Sequence, residues 1–210
     1  MVKNSNLQQS PLIIYFGGNA EELSYLIHYS HRIQGWSLAL INYRGYGLSE
    51  GNPGEKNFCA DATAIYDYFA GRPDIDKNRI VTMGRSLGTG VAVFLAKARN
   101  IKAVILVSPY DSLVSIGKEH FPFLPVRLLL RHRFDSLAIA PLITSPLLVM
   151  VASEDTIIPV KYSKRLAEKW GGPHIFISIQ DEDHNTIHEN EDYWKNINEF
   201  LAGVKADWPQ

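Results

Sequence analysis

Six short apolar runs recur along the chain, and polar or glycine-containing segments separate them. Each run is almost continuously apolar, which is the pattern expected of a strand covered on both faces of a sheet. We therefore predict six buried strands. They comprise residues 12–16, 36–41, 80–83, 103–107, 147–152 and 175–179.

Most of the intervening segments carry apolar residues at helical spacing. The predicted helices comprise residues 21–33, 55–69, 160–170 and 191–204, together with the stretch after Ser86. Strands that alternate with helices usually form a parallel sheet, because the crossovers are right-handed. We expect an α/β fold of three layers, in which a mainly parallel sheet of about six strands has helices on both faces.

The alternation breaks between residues 110 and 145. So long a departure between two strands indicates a lid inserted into the domain. The chain of 210 residues, 46% of them hydrophobic, is long enough for one sizeable core and too short for two. We predict a single domain over residues 1–210 with a lid at about 110–145.

Charge and cysteine content limit the partners and the compartment. The 21 basic and 22 acidic residues nearly cancel and form no long block, which argues against nucleic acid and favours a small neutral or amphipathic ligand. The single cysteine, Cys59, cannot form an internal disulfide. No apolar run approaches the roughly 20 residues that span a bilayer, and no charged-then-apolar leader opens the chain. A cytoplasmic protein is expected, while the oligomeric state stays open.

The third strand runs into Gly84-Arg85-Ser86-Leu87-Gly88, which has the pattern of a nucleophile elbow, a sharp turn that exposes a serine between a strand and a helix. Glycines flank the serine because the turn crowds its neighbours. The helix that follows places partial positive charge near the serine oxygen. The same pattern also occurs by chance in glycine-rich loops, so further residues must decide.

Two further candidates follow later strands. Asp155 lies shortly after residues 147–152, and His184 lies shortly after residues 175–179. Ligands of doubly wound sheets bind beyond the carboxyl ends of the strands, so these side chains can meet Ser86 there. The order serine, acid, histidine is also that of hydrolases with this elbow. We predict a catalytic triad of Ser86, Asp155 and His184.

Each assignment has an alternative. Asp155 could be a turn residue, with Glu154 beside it as a competing carboxylate and Asp111 as another acid after a strand. His184 could be a loop histidine, or could form a metal site with His188 four residues on, although no third ligand has a matching spacing. We expect no metal and no cofactor.

An acyl-transfer serine also requires donors for the oxyanion. The backbone amide of Leu87 is one candidate, at the start of the helix after the elbow. The second is expected from the loop after the first strand, with Asn19 favoured and Gly18 as the alternative. An ordinary tight turn is the competing interpretation of that loop.

Taken together, these motifs resemble the alpha/beta-hydrolase superfamily. Within it, they are similar to the serine-hydrolase branch often labelled serine-aminopeptidase-like, which has a His-Gly-Asn-Ala oxyanion loop and a Tyr-Arg-Gly-Tyr-Gly loop. This chain has Gly17 where that branch has histidine, so only the backbone donor is expected to remain. The matching segments are residues 16–22, 42–51, 84–90 and 155–159, and His184.

The resemblance implies a serine hydrolase that cleaves carboxylic esters or thioesters through an acyl-enzyme intermediate, as the branch comprises mainly esterases, lipases and thioesterases. Its members usually begin with two antiparallel strands, often after a membrane anchor, ahead of the strand matched by residues 12–16. Whether the native chain carries such an anchor stays open. The alternatives are a non-catalytic ligand-binding protein, or an aminopeptidase whose anionic pocket uses Glu154 and residues 181–183.

The substrate pocket is the least constrained part of the prediction. Apolar residues of the lid are candidates for an acyl pocket, with core packing under a loop as the alternative. Tyr43 and Arg44 are expected near the mouth of the site, although Arg44 could instead tie the glycine-rich loop to a carboxylate. The predicted pocket residues are Tyr43, Phe121, Phe123, Leu124 and Leu128.

Overall fold

One parallel sheet organises the molecule. The computed structural model describes residues 1–3 and 7–205, without the side chain of residue 205. Its six named strands pair in the order β2-β1-β3-β4-β5-β6, and every neighbouring pair is parallel. The strands are β1 (Ser10–Phe16), β2 (Ser37–Ile41), β3 (Ile75–Arg85), β4 (Ala103–Val107), β5 (Leu147–Ala152) and β6 (His174–Ile179).

Helices connect the strands and cover the sheet. Among the described residues, four α-helices are at least nine residues long: α1 (Glu55–Ala70), α2 (Leu87–Ala98), α6 (Val160–Glu168) and α7 (Glu191–Lys205). The shorter ones are α3 (Leu113–His120), α4 (Val126–Leu129) and α5 (Ser136–Ile139). Among the helices of the described residues, none is both long and apolar enough to cross a bilayer.

The two faces of the sheet bury separate cores because successive side chains of a strand point to opposite sides. On β1, Leu12, Ile14 and Phe16 pack with residues of α1, α2 and α6. The intervening Ile13 and Tyr15 pack on the other face, where α7 lies. The α/β arrangement with helices on both faces, predicted from the apolar runs, is confirmed.

The buried strands match their predicted bounds most closely. Both β4 and β5 have the predicted ends, because every residue in them is buried and apolar. In contrast, β3 begins five residues before the predicted start, at Ile75. Its polar residues 76–79 gave no strand signal, yet Ile75 pairs with Ser10 across an irregularity in the ladder.

A helix is present within the predicted range of residues 21–33, at Ser24–Arg32, but it is a 3₁₀-helix and not the expected α-helix. Leu23 and Leu26 are buried and Tyr29 packs against the same core, whereas Ile27 is 49% exposed. These inward residues recur every third position, which is the period of a 3₁₀-helix.

Residues 110–145, which we call the lid segment, form α3, α4, α5 and a short 3₁₀-helix at Ala140–Leu142. The segment is fixed to α1 at its middle. The Glu55 carboxylate accepts hydrogen bonds from the amides of Arg133 (2.7 Å) and Phe134 (3.1 Å). The Phe134 side chain then packs into the core beneath.

Candidate active site

Ser86 occupies the turn between β3 and α2. Its backbone has φ 50° and ψ −119°, a region that residues other than glycine rarely adopt. The Ser86 amide donates to Val107 O at 2.9 Å, so the hydrogen bonding to β4 continues up to the turn. The Thr89 amide and hydroxyl donate to Ser86 O at 3.0 and 2.6 Å. The surrounding hydrogen bonds therefore hold the strained serine in place.

The flanking glycines are required by close backbone contacts. A Cβ on Gly88 would lie 2.6 Å from Gly17 O and closer still to Phe16 O. A Cβ on Gly84 would lie 2.7 Å from Gly88 C. In both cases the obstacle is backbone, which cannot rotate away as a side chain can.

We expect Gly88→Ala to lower the free energy of unfolding by about 3 kcal/mol, because overpacking against backbone forces β1 and α2 apart. Urea denaturation of the purified variant measures this loss. Gly71→Ala is the matched control: its Cβ would meet nothing nearer than Asp67 O at 3.4 Å, so it should stay within about 0.5 kcal/mol of the parent. Equal stability of the two variants would contradict this account of the elbow.

Hydrogen bonds join the three predicted triad residues. His184 Nε2 lies 3.0 Å from Ser86 Oγ, and His184 Nδ1 lies 2.8 Å from Asp155 Oδ2. His184 follows β6 and Asp155 follows β5, and both residues are at least 93% buried. The carboxyl ends of three parallel strands thus bring these side chains to one edge of the sheet.

The second carboxylate oxygen of Asp155 fixes its orientation. Asp155 Oδ1 accepts hydrogen bonds from the amides of Ile157 (3.0 Å) and Ile158 (2.8 Å). An ionised carboxylate only accepts, so His184 Nδ1 must carry the proton that faces it. In a neutral imidazole, Nε2 is then free to accept the Ser86 hydroxyl proton.

The environment of Asp155 keeps it charged. Burial raises its pKa, but the hydrogen bonds from His184 and the Ile158 amide outweigh burial, and the pKa lies below its usual value. A carboxyl with a lowered folded-state pKa stabilises the fold above its unfolded pKa. That contribution is lost as the pH falls through the folded-state pKa.

The alternative acids lie elsewhere. Asp111 is buried, and its carboxylate pairs with Arg165 and accepts the Ser112 amide. Glu154 is exposed, and its backbone amide donates to Glu182 O. Neither carboxylate is bonded to His184.

His188 lies among aromatic rings instead of pairing with His184. Its ring centroid is 5.6 Å from that of Tyr29 and 6.4 Å from that of Tyr25. Burial lowers its pKa, which favours the neutral ring. Across the described residues, no group of three or more histidine, cysteine or acidic side chains could hold a metal ion.

The loop after β1 faces the elbow. The Gly18 amide donates to Glu21 Oε2 at 2.5 Å, so this alternative oxyanion donor is already engaged. The backbone amides of Asn19 and Leu87 donate no hydrogen bond to any of the described residues, so both can donate to an oxyanion. Tyr46 donates its hydroxyl to Asn19 Oδ1 at 2.7 Å, which fixes the Asn19 side chain.

Arg85 ties the loop after β1 to the loop after β6, a role that no sequence motif indicates. Its guanidinium pairs with Glu21 Oε2 at 3.1 Å and donates to His184 O at 2.8 Å. Both charged side chains are largely buried, with 13% and 8% of their surface exposed. Burial alone would lower the pKa of Arg85, but the charge and hydrogen bond of Glu21, together with the nearby tyrosines, outweigh burial and raise the pKa above its usual value. The position before Ser86 thereby links the Gly18 loop to the His184 loop.

We expect Arg85→Met to lower the free energy of unfolding by about 3 kcal/mol, because it leaves the Glu21 carboxylate buried without its cation. Adding Glu21→Gln should recover part of this loss, since the amide carries no charge. Urea denaturation of the two single variants and the double variant gives the coupling energy. Strictly additive losses would show that the two side chains act independently.

The predicted pocket residues comprise one buried residue, Tyr43, and four exposed residues of the lid segment. Tyr43 is 4% exposed, stacks on Phe58 with ring centroids 4.2 Å apart, and donates its hydroxyl to Gly17 O at 3.0 Å. Tyr43 therefore stabilises the loop after β1 from the core side. Arg44 binds Asp61, with Nε 2.7 Å from Oδ2, as in the structural alternative for this residue.

The lid residues of the predicted pocket lie on the surface. Their exposed fractions are large: Phe121 59%, Phe123 98%, Leu124 52% and Leu128 85%. Side chains with so much exposed surface do not form a core under the loop. The reason is local, because α4 is a single turn and buries only Val126.

Comparison with known proteins agrees with this architecture. A model of the serine hydrolase family matches residues 73–203. A protein of Mycobacterium tuberculosis, called uncharacterized, is 35% identical over 177 residues, which are 83% of this chain and 63% of that protein. The chain therefore spans less than two thirds of the length of that relative. A Saccharomyces cerevisiae protein, called an uncharacterized membrane protein, is 30% identical over 207 residues, 95% of this chain and 73% of that protein.

Among solved structures, Est1E from Butyrivibrio proteoclasticus with bound ferulic acid has the same fold. Its TM-score is 0.81 at 18% identity, with 96% of this chain and 92% of that chain covered. The family match spans more than half of the chain and includes the strand, elbow and helix around Ser86. The chain therefore belongs to the serine hydrolase family and has the alpha/beta-hydrolase fold.

Proposed function

We propose that this protein hydrolyses carboxylic esters or thioesters of small acyl substrates through an acyl-enzyme intermediate on Ser86. The observation that carries the proposal is the continuous hydrogen-bonded chain from Ser86 through His184 to Asp155. Free backbone amides at Leu87 and Asn19 supply the remaining requirement, which is a site for developing negative charge.

In the acylation step, Ser86 Oγ attacks the acyl carbon while His184 Nε2 removes the hydroxyl proton. The amides of Leu87 and Asn19 donate to the oxyanion of the tetrahedral intermediate. When this intermediate collapses, the bond to the leaving oxygen or sulfur breaks, and His184 returns the proton to that atom. Asp155 holds the imidazole in the required tautomer and stabilises its charged form.

Deacylation repeats these steps with water as the nucleophile. His184 Nε2 removes a proton from water, whose oxygen attacks the acyl carbon, and the carboxylic acid leaves as Ser86 Oγ regains the proton. No cofactor is needed for either step.

We also propose a reducing, cytoplasmic location. The sole cysteine, Cys59, is unpaired, which is in keeping with that location.

The structure offers little support for an aminopeptidase. A substrate's amino terminus would need a buried or enclosed carboxylate near the site, whereas Glu154 and Asp181 are exposed and Glu182 is only half-buried. The Asp183 carboxylate accepts the amides of Asn185 (2.7 Å) and Thr186 (3.0 Å), which shapes the loop after His184. This carboxylate is therefore engaged in a local turn.

Turnover of a panel of p-nitrophenyl esters, phenyl thioesters and aminoacyl p-nitroanilides tests the proposal. We expect hydrolysis of esters or thioesters and none of the anilides. A folded protein that turns over none of these substrates would favour a ligand-binding role. Hydrolysis of the anilides alone would favour the peptidase.

A further inference from the structure

The lid segment carries a cluster of exposed apolar side chains that the proposed chemistry does not use. Five of the nine residues from 121 to 129 are large apolar side chains with more than half of their surface exposed. We call this cluster the lid patch. A monomer in water rarely leaves so many neighbouring apolar side chains uncovered. The patch comprises Phe121 (59% exposed), Phe123 (98%), Leu124 (52%), Leu128 (85%) and Leu129 (63%).

Local structure explains why these side chains point outward. Pro122 and Pro125 interrupt any helix between α3 and α4, and the chain turns there with the Leu124 amide donating to Phe121 O. Val126 is buried, and its side chain packs where Gly117 leaves room for it. With Val126 directed inward, residue 128 lies on the opposite side of the single helical turn. The exposure therefore follows from how α4 packs.

Basic side chains accompany the lid patch. Residues 118–133 contain four basic side chains but only one acid, while the whole chain has a formal net charge of −1. That acid, Glu119, is already bound by Lys161 (2.8 Å) and Tyr162 (2.7 Å). Within the described residues, the three arginines of this stretch form no ion pair. The four basic residues are Lys118, Arg127, Arg131 and Arg133.

The lid patch lies on the side of the molecule that carries the candidate active site. His120, at the end of α3, has Nε2 2.9 Å from Ile157 O, two residues after Asp155. The ion pair between Glu119 and Lys161 joins α3 to α6 just beyond that loop. A surface bound by the patch would therefore lie beside the loops that hold Ser86 and His184.

We propose that the lid patch docks the protein on the surface of an anionic lipid bilayer. The five apolar side chains enter the boundary between headgroups and acyl chains, and the arginines bind lipid phosphates. A second copy of this chain fits the patch less well, because its like-charged arginines would face each other. Docking does not depend on catalysis. Docking beside the active site implies that the substrate is an acyl ester held in the bilayer. This second inference rests on the proposed function.

Vesicle co-sedimentation tests the docking. Wild-type protein is mixed with vesicles of phosphatidylcholine alone, or of phosphatidylcholine with about 30% phosphatidylglycerol, at low and high salt. We expect binding to the anionic vesicles, weakened by salt. Phe123→Ser should weaken binding about tenfold through lost apolar insertion. Arg127→Glu and Arg131→Glu should each weaken it at least about fivefold.

Matched controls separate docking from general changes in charge or hydrophobicity. Lys77→Glu makes the same charge change near the amino end of β3, and Ile27→Ser removes an apolar side chain that is 49% exposed outside the lid. Both should bind vesicles as the wild type does. Ser86→Ala should also bind vesicles as the wild type does, because docking does not need the nucleophile. Vesicle binding therefore tests the docking alone, and ester turnover tests the proposed hydrolysis alone.

Three results would overturn the proposal. The first is wild-type protein that stays in the supernatant with anionic vesicles, and the second is lid variants that bind as tightly as the wild type. The third is a dimer, seen by sedimentation velocity without lipid, that Phe123→Ser dissociates while vesicle binding is absent. That result would assign the patch to self-association.

Discussion

Replacing Ser86 by alanine is expected to lower kcat for p-nitrophenyl butyrate by on the order of a millionfold, to the residual rate that binding and the oxyanion amides alone can supply. The hydroxyl is the group that forms the acyl bond, and no other nucleophile is bonded to His184 within the described residues. Steady-state kinetics with active-site titration of the parent protein measures the loss.

Ser178→Ala is the control for this experiment. Ser178 is an exposed serine on β6, so its replacement should leave kcat within about twofold and stability within about 0.5 kcal/mol. If Ser86→Ala kept a tenth or more of the parent rate while remaining folded, Ser86 would not be the nucleophile.

Asp155→Asn is expected to lower kcat by about ten thousandfold. The reason lies in the amides of Ile157 and Ile158, which both donate to Asp155 Oδ1. An asparagine must turn its oxygen toward these donors, and its NH₂ group then faces His184 Nδ1. That contact selects the tautomer with the proton on Nε2, which can no longer accept the proton of Ser86.

The neighbouring acid provides the matched control. Glu154 is exposed, so Glu154→Gln should leave kcat nearly unchanged. Kinetics should be compared at several pH values, because the loss in Asp155→Asn comes from the tautomer and should persist wherever the imidazole is neutral. A Glu154→Gln variant that lost as much activity as Asp155→Asn would reverse the assignment of the acid.

Much of the fold was predictable because burial on both faces of the sheet leaves a strong signal. The runs that became β4 and β5 contain only apolar residues, and their predicted ends were correct. The start of β3 was not predictable, since Asp76 and Lys77 lie at a polar end of the strand where only pairing to β1 defines it. The 3₁₀-helix at Ser24–Arg32 was taken for an α-helix because spacings of three and four residues look alike in a short segment.

The candidate site also contains residues that the sequence predicts and residues that it does not. Ser86, Asp155 and His184 could be proposed because each follows an apolar run, and the carboxyl ends of parallel strands share one edge. The ion pair between Arg85 and Glu21 was missed because its members lie 64 residues apart and neither belongs to a spaced motif. The only sequence feature that pointed to this ion pair was the presence of a charged residue directly before Ser86.

The lid segment was located but its arrangement was not predicted. Its length and its break in the alternation indicated an insertion, whereas the packing of α4 brings Val126 against Gly117 of another helix, a contact that no local pattern indicates. Apolar side chains in such a segment therefore suggested a pocket, and the structure places them on the surface. The same composition serves either role, and only the packed structure distinguishes them.

Labelling with a fluorophosphonate, followed by peptide mass spectrometry, tests the central claim most directly. Native protein should carry a single adduct on Ser86, and heat-denatured protein should carry none, because only the folded triad activates that hydroxyl. An adduct on another residue, or no adduct on a protein that hydrolyses esters, would contradict the account.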